Sequence, residues 1–235
     1  MFLSGTLLNA ATVLVGGLVG TGLGANLPDR LRHNVVRGLG LFTIVLGVQS
    51  AIQTRNVIVL LFAILLGGLL GSALSLDARL NGLGDALQRR LAARGGRVSE
   101  AFVTTSIVFC VGPLTFLGAI QNGISGDARL LAIKSVLDGF AALAFAASLG
   151  WGVLLSVITI LVYQGALSAG AALFARALSD AMVGEMSAAG GALVMGVGLR
   201  LLEIKDVHVA DFLPAIVVAP AIVAALATLG LPLAP

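Results

Sequence analysis

A run of 37 residues without a charged side chain, 139–175, restricts the fold of this chain more than any other feature of its sequence. A helix needs about 20 mostly apolar residues to cross the hydrocarbon core of a membrane. At about 1.5 Å of rise per residue, the run would be about 55 Å long as one helix, which is too long for one crossing. We therefore predict two membrane spans here, separated by a break at Gly150-Trp151-Gly152.

The composition of the whole chain agrees with a membrane protein. The chain has 235 residues, of which 58% are hydrophobic and 11% are charged, whereas soluble domains are about 25% charged. Glycine accounts for 31 residues, about twice its average share, as is typical of closely packed membrane helices. The net charge of +3 does not indicate a nucleic-acid partner, because most arginines lie in two short segments beside apolar runs.

Apolar segments between the charged residues predict an all-α bundle of eight spans in one transmembrane domain, 1–235. The predicted spans are 3–24, 35–52, 57–76, 101–122, 130–149, 152–175, 186–203 and 211–232. The fifth and seventh spans carry charged residues within their limits, and the loss of either crossing would reverse the orientation of everything after it. The first span has no Lys or Arg before Arg30, so we expect a permanent span instead of a cleaved signal.

The arginine-rich loops predict the orientation. Segments 25–37 and 77–100 carry most of the arginines, and positive loops stay in the cytoplasm. We therefore expect both loops to be cytoplasmic and the N-terminus to lie outside. Leucines at three- and four-residue steps in 77–97 predict a short amphipathic helix on the membrane surface.

Glycine spacing indicates an inverted repeat of spans 1–3 against spans 6–8. The repeat units would be 1–76 and 150–235, around a central helix pair, 101–149. The matched glycines are Gly40 with Gly191 and Gly47 with Gly198, both 151 positions apart, and Gly16 with Gly165, 149 positions apart. Inverted repeats of this kind are common in secondary transporters.

Gly112 and Pro113 predict a break in the fourth span. Proline has no backbone donor and clashes with the preceding turn, so carbonyl groups near the bilayer centre lose their helical partners. Such carbonyls are bonded by neighbouring groups or line a water-filled cavity. The break is therefore either a site for a solute or ion or a packing kink.

Polar residues follow this break. Lys134 and Asp138 are four residues apart, so they face one side of the fifth span and can pair. We interpret Gln121, Asn122 and Asp127 as part of an irregular or re-entrant connection punctuated by glycines. The residues predicted to line an ion or solute pathway are Asp138, Lys134, Asn122, Gln121, Asp127 and Asn9, with Tyr163 and Gln164 as weaker candidates. The alternative is a salt bridge that only holds the helix in place.

No arrangement of residues predicts an enzyme, a metal site or a cofactor. His33 and His208 lie far apart, and neither belongs to a recognisable catalytic motif. The glycine ladders Gly16-Gly20-Gly24 and Gly67-Gly71-Ser75 predict close helix packing. That packing can be internal, or it can join two copies of the chain as a homo-oligomer.

Three stretches carry a resemblance to a known family. They are GTLLNAATVLVGGLVG, CVGPLTFLGAIQNGISGDARLLAIKSVLDGF and SAAGGALVMGVGLRLLEIKDVHVADFLPAI. The chain resembles the YqgA-like bacterial inner-membrane proteins, a domain of unknown function (554). The resemblance implies a multi-pass protein of the bacterial inner membrane and supplies no substrate. Relatives often carry an acidic residue where this chain has Asn122, which argues against an essential carboxylate at that position.

We therefore expect a small secondary transporter or channel for an ion or small polar solute, in contact with the lipid bilayer. The rival hypothesis is a non-transporting assembly partner or regulator. A polar cavity at Asp138 would favour transport, and a dry core there would favour the rival.

Overall fold

Every regular element in the computed structural model is helical across the residues it describes, which are 3–24, 28–79, 82, 98–110 and 113–230. In chain order the helices are α1 (Ser4–Gly24), α2 (Asp29–Ala51), α3 (Val57–Ala73), α4 (Val98–Cys110), α5 (Pro113–Ser125), α6 (Arg129–Leu149), α7 (Ser156–Ala169), α8 (Ala171–Ala177), α9 (Asp180–Leu201) and α10 (Ala215–Thr228). Short 3-10 helices at Trp151–Leu155 and Val209–Phe212 precede α7 and α10. The predicted all-α class is confirmed for this part of the chain.

Among the described residues, six helical segments are long and apolar enough to cross a membrane. They are Ser4–Gly24, His33–Ala51, Arg129–Leu149, Trp151–Ala169, Asp180–Leu201 and Val209–Thr228. Helices α4 and α5 would form a seventh span as a bent pair, and α3 is apolar but shorter, with 17 residues. The protein is therefore a helical membrane protein, and the count of eight spans stays a prediction.

Large apolar side chains cover the outward faces of the bundle. Leu69 on α3, Phe140 on α6 and Val217 on α10 are each about 70% exposed. A soluble monomer rarely exposes large continuous apolar patches, whereas lipid tails are as apolar as these side chains. These outward faces are therefore suited to contact with lipid.

The long uncharged run divides where its sequence predicts. Helix α6 ends at Leu149, and Gly150 adopts a φ of 91°, a left-handed conformation that residues with a side chain rarely adopt. Trp151 then begins the 3-10 helix that leads into α7. The break at Gly150-Trp151-Gly152 is thus confirmed, although α7 ends at Ala169 and does not run unbroken to 175.

The expected irregular stretch is wrong for Gln121 and Asn122, because α5 continues as a helix to Ser125. Asp127 does lie in the connection, and the re-entrant form stays a prediction, because α4 and α5 are a bent pair. Gly118 lies against the side chain of Leu131, and Gly123 lies against the backbone of Ser168. These glycines allow neighbouring helices to approach closely and do not unwind their own helix. Gly126, with a φ of 73°, follows the helix end, and only 126–128 connect α5 to α6.

Most of the predicted loop 25–37 is helical. Helix α2 begins at Asp29, directly after Pro28. Proline before the first helical residue needs no backbone donor, which suits a helix start. The predicted amphipathic helix 77–97, in the other arginine-rich segment, lies largely outside the described residues.

Glycines allow α1 to lie directly against α6. A Cβ atom on any of three α1 glycines would collide with a backbone carbonyl oxygen of α6. The close approach therefore depends on the absence of side chains on this face of α1. The contacting pairs are Gly16 with Gly139, Gly20 with Leu143 and Gly24 with Ala147.

The second glycine ladder is also used inside the chain. Gly67 and Gly71 of α3 lie against Ala215 and Asp211, at the start of α10 and in the turn before it. Of the two alternatives for these glycine ladders, the contacts at Gly16, Gly20, Gly24, Gly67 and Gly71 are therefore internal to the chain. A third glycine contact joins α2 to α9, where Gly40 meets Gly198 and Gly47 meets Gly191.

Gly20→Ala should destabilise the fold, because the added methyl group would overlap the backbone of Leu143. Overpacking of this kind costs about 1–3 kcal/mol. The matched control is Gly22→Ala on the same helix, where a Cβ meets no atom within 4 Å and helix propensity rises by about 0.5–1 kcal/mol. Thermal unfolding in detergent measures both, and equal stability of the two variants would contradict this packing.

Candidate functional site

Lys134 and Asp138 form an ion pair inside the bundle. They lie one turn apart on α6, and Lys134 Nζ donates to Asp138 Oδ2. Only 5% of Lys134 and 8% of Asp138 is exposed. A buried charge without a partner costs several kcal/mol, so each group stabilises the other. The pairing expected from their spacing is present.

A hydrogen-bond network joins this pair to α1 and α7. Asn9 Nδ2 donates both to Asp138 Oδ2 and to Gln164 Oε1, at 3.0 Å each. Gln164 Nε2 donates to Thr6 Oγ1 at 3.3 Å, and the hydroxyl groups of Thr6 and Ser168 lie 3.5 Å apart. All five side chains are buried. The network therefore holds the carboxylate of Asp138 in one position relative to three helices.

A cleft of about 380 Å³ between α2 and α6 reaches the ion pair. Lys134 and Asp138 provide the charged groups of its wall on α6. Phe145 of α6 and Val194 of α9 belong to its apolar lining. On the α2 side lie four neutral hydrogen-bonding side chains, of which Thr43, Gln49 and Ser50 belong to α2 and Gln53 follows its end.

This arrangement is suited to binding. Such a volume accommodates a small molecule or a hydrated ion, since ligand pockets usually measure about 300–1,000 Å³. The cleft offers hydrogen-bond donors and acceptors together with one charge of each sign. Within the described ranges, no group of three or more His, Cys, Asp or Glu side chains is placed to hold a metal ion.

The cleft also touches the bend between α4 and α5. The axes of these two helices differ by 60°, and Val108 and Leu114, on either side of the bend, both line the cleft. Pro113, the first residue of α5, cannot donate to the carbonyl of Phe109. Thr115 Oγ1 donates to that carbonyl instead, at 3.0 Å. Gly112, the other residue of the predicted break, lies outside the described residues.

The remaining predicted pathway residues lie elsewhere. Asn122 is buried and anchors the start of α1, because its Oδ1 accepts from the backbone N–H of Gly5 at 3.1 Å. Gln121 donates to Asp127 at 3.1 Å, and Asp127 also accepts from the backbone N–H of Arg129 at 3.0 Å. None of these side chains lines the cleft. The structure thus brings together Asp138, Lys134 and Asn9 from the predicted set.

Sequence reasoning ranked Gln164 too low and missed several hydroxyl groups. Thr6 and Asn9 are three residues apart, and Gln164 and Ser168 are four apart, so each pair shares one helix face. Polar residues repeated at this spacing within an apolar span are the signal that could have found them. Thr115, which bonds the freed carbonyl, could have been sought directly after Pro113.

Glu185 of α9 is a further buried carboxylate, outside the predicted set. It is fully buried and accepts three hydrogen bonds from the connection between α2 and α3. The donors are Thr54 Oγ1 at 2.7 Å and the backbone N–H groups of Arg55 and Asn56 at 2.6 and 3.1 Å. Glu185 therefore fixes this connection to α9.

The fold and the cleft define a class, that of multi-pass α-helical membrane proteins with a polar cleft beside a buried ion pair. The chain belongs to the family described as "Protein of unknown function (DUF554)", which matches residues 4–224. The resemblance detected in the sequence is thereby confirmed.

Two relatives match over nearly their whole length. The chain is 33% identical to the "Uncharacterized protein YqgA" of Escherichia coli (strain K12), over 92% of this chain and 94% of that protein. It is 24% identical to the "Uncharacterized membrane protein YdfK" of Bacillus subtilis (strain 168), over 97% of this chain and 98% of that one. No solved structure matches the chain.

The effects of Lys134→Met and Asp138→Asn on stability should be strongly coupled. Each single substitution leaves the other buried group without its charge partner, which costs about 3–5 kcal/mol. The double variant loses both charges, so its cost should be smaller than the sum of the two single costs. Unfolding in detergent measures the coupling. If the free-energy costs of the two substitutions simply add, the two side chains do not form a direct pair. Asp127→Asn, at a partly exposed position, is the control and should lower the free energy of unfolding by less than about 1 kcal/mol.

Proposed function

We propose that the protein is a small secondary transporter or channel for an ion or small polar solute. The observation that carries this proposal is the cleft of about 380 Å³ that ends on the buried pair of Lys134 and Asp138. Charged side chains within membrane spans are costly, and they commonly mark substrate and ion pathways. The transport hypothesis requires a cavity at Asp138. The rival hypothesis expects a dry core there instead.

The bend between α4 and α5 adds support. Secondary transporters bind solutes at interrupted helices near the middle of the membrane, and residues on both sides of this bend line the cleft. The carbonyl of Phe109 is bonded by Thr115, so the bend leaves this polar group satisfied. In our proposal the bend therefore shapes the cleft, while Lys134 and Asp138 bind the solute.

The proposal includes eight crossings of the bacterial inner membrane, with the N-terminus outside. Hydrogen bonds join the start of α1 to α5 and α7 near their ends, and the start of α9 to the α2–α3 connection. Elsewhere, the backbone N–H of Asp77, after α3, bonds to Asp211, before α10. This grouping of helix ends is what we expect if successive helices cross the membrane in alternating directions. The side that holds 77–100 would be cytoplasmic because of its arginines.

Cysteine labelling in intact cells tests this topology. Arg55→Cys and Ser125→Cys should react with a membrane-impermeant maleimide, because both positions would face outward. Ala93→Cys, in the arginine-rich segment, should react only after the membrane is permeabilised. Unmodified protein serves as the control, since its single thiol, Cys110, is buried. Labelling of positions 55 and 93 from the same side would show that α3 does not cross.

The inverted repeat is also part of the proposal. In the predicted repeat, a two-fold axis places Gly40 on Gly191 and Gly47 on Gly198. The same axis would therefore turn a contact between Gly40 and Gly198 into one between Gly191 and Gly47. Both contacts are present between α2 and α9. The third expected match is weaker, because Gly16 packs tightly against α6, whereas a Cβ atom added at Gly165 would meet no atom within 4 Å. Support for the repeat therefore rests on the α2–α9 pair.

Flux into proteoliposomes, measured over a panel of ions, small acids and amino acids, tests the transport proposal. Asp138→Asn should reduce the flux of the transported solute at least about tenfold, because it removes one charge from the cleft. Asp127→Asn is the matched control and should leave flux unchanged, since Asp127 does not line the cleft. Unchanged flux in a folded Asp138→Asn variant would show that the site is wrong. Wild-type protein that moves no solute would favour the non-transporting alternative.

A further inference from the structure

We infer that the cleft binds a small zwitterion, a molecule with one ammonium group, one carboxylate group and a short apolar remainder, such as an aliphatic amino acid. This inference rests on the proposed function and specifies its solute. It follows from three properties of the cleft. They are the balance of its two charges, the hydrogen bond that Asn9 donates to its carboxylate, and its apolar lining side chains.

The charged groups of the cleft are balanced. Among the described residues, its lining contains one ammonium group, on Lys134, and one carboxylate, on Asp138, and the other lining side chains are neutral. A free cation or anion would meet one attractive and one repulsive charge, and it would bring a net charge into a site whose own two charges cancel. A zwitterion adds no net charge and can satisfy both groups at once. The balance therefore favours a zwitterion over a simple ion.

The ion pair can open to admit such a ligand without leaving Asp138 free. Lys134 and Asp138 pair with each other across one helical turn, so a ligand carboxylate can bond to Lys134 while the ligand ammonium bonds to Asp138. Asn9 Nδ2 continues to donate to Asp138 Oδ2 at 3.0 Å, and Gln164 holds Asn9 in turn. Asn9 is thus a positioning residue that keeps the carboxylate in place when Lys134 turns to the ligand.

The rest of the lining suits a short apolar group. Phe145 and Val194 line the cleft beside the charged groups, and Thr43 and Ser50 of α2 provide hydroxyl groups. Its volume of about 380 Å³ lies within the usual range of about 300–1,000 Å³ for small-molecule pockets. The cleft therefore has room for one amino acid.

Ligand binding by the purified wild-type protein in lipid nanodiscs tests the inference. The probes are L-leucine and two analogues that each lack one charge, isopentylamine and 4-methylpentanoate, with L-alanine and sodium chloride as further probes. Isothermal titration should show that at least one of the two amino acids binds about tenfold or more tightly than either singly charged analogue, a difference of about 1.4 kcal/mol. Equal binding of an analogue, or no binding of either amino acid at millimolar concentration, would overturn the inference.

Variants identify the site. Lys134→Met and Asp138→Asn should each lose amino-acid binding, whereas Asp127→Asn should retain it. Retained binding in folded Lys134→Met and Asp138→Asn variants would overturn the assignment to this cleft. If the variants do not fold, the comparison of leucine with its singly charged analogues on the wild-type protein still tests whether the protein prefers a zwitterion.

The outcomes for binding and for transport are separable, because the titration needs no membrane gradient. Amino-acid binding without any flux would refute the proposed transport function but would support the zwitterion site in the cleft. Flux of an inorganic ion that depends on Asp138, without amino-acid binding, would refute this inference and keep the proposed function.

Discussion

The carboxylate of Asp138 is the group on which the rest of the bundle depends. A carboxylate in the hydrocarbon region must be paired and hydrogen-bonded, and the donors to Asp138 come from Lys134 on its own helix and from Asn9 on α1. Asn9 can reach it only because α1 lies directly against α6, through the contact of Gly16 and Gly20 with backbone atoms. The glycine face of α1 and the polar site are therefore parts of one arrangement, in which close packing makes the hydrogen bonds possible.

The bend between α4 and α5 follows the same rule of polar satisfaction. A carbonyl inside the hydrocarbon region that loses its helical donor needs another donor or a water-filled cavity. Pro113 removes the donor for Phe109, and Thr115, two residues further along, replaces it with a hydroxyl. The chain can thus change direction beside the cleft while the carbonyl of Phe109 keeps a partner. Proline and threonine act together here.

The sequence predicted the features that depend on local spacing. The pairing of Lys134 with Asp138 follows from a separation of four residues on a helix, and the break at Gly150 follows from the length of the uncharged run. The contact of Asn9 with Asp138 joins positions 129 residues apart, and no local pattern specifies which helices meet. Around Gly118 and Gly123 the expected irregular backbone is helical instead, because a glycine that admits a neighbouring helix and one that ends a helix look the same in a sequence.

Glu185 is connected to the cleft although it does not line it. Its carboxylate holds Thr54 and the backbone of Arg55, and the residue before Thr54 is Gln53, which stands exposed at the rim of the cleft. The last turns of α2, with Gln49 and Ser50, lead directly into this fixed point. Helix α9 therefore fixes this end of α2 through Glu185, in addition to the glycine contacts that join the two helices further along. A change in the position of α9 relative to α2 would thus alter the cleft from two places, the Glu185 anchor and the lining residue Val194.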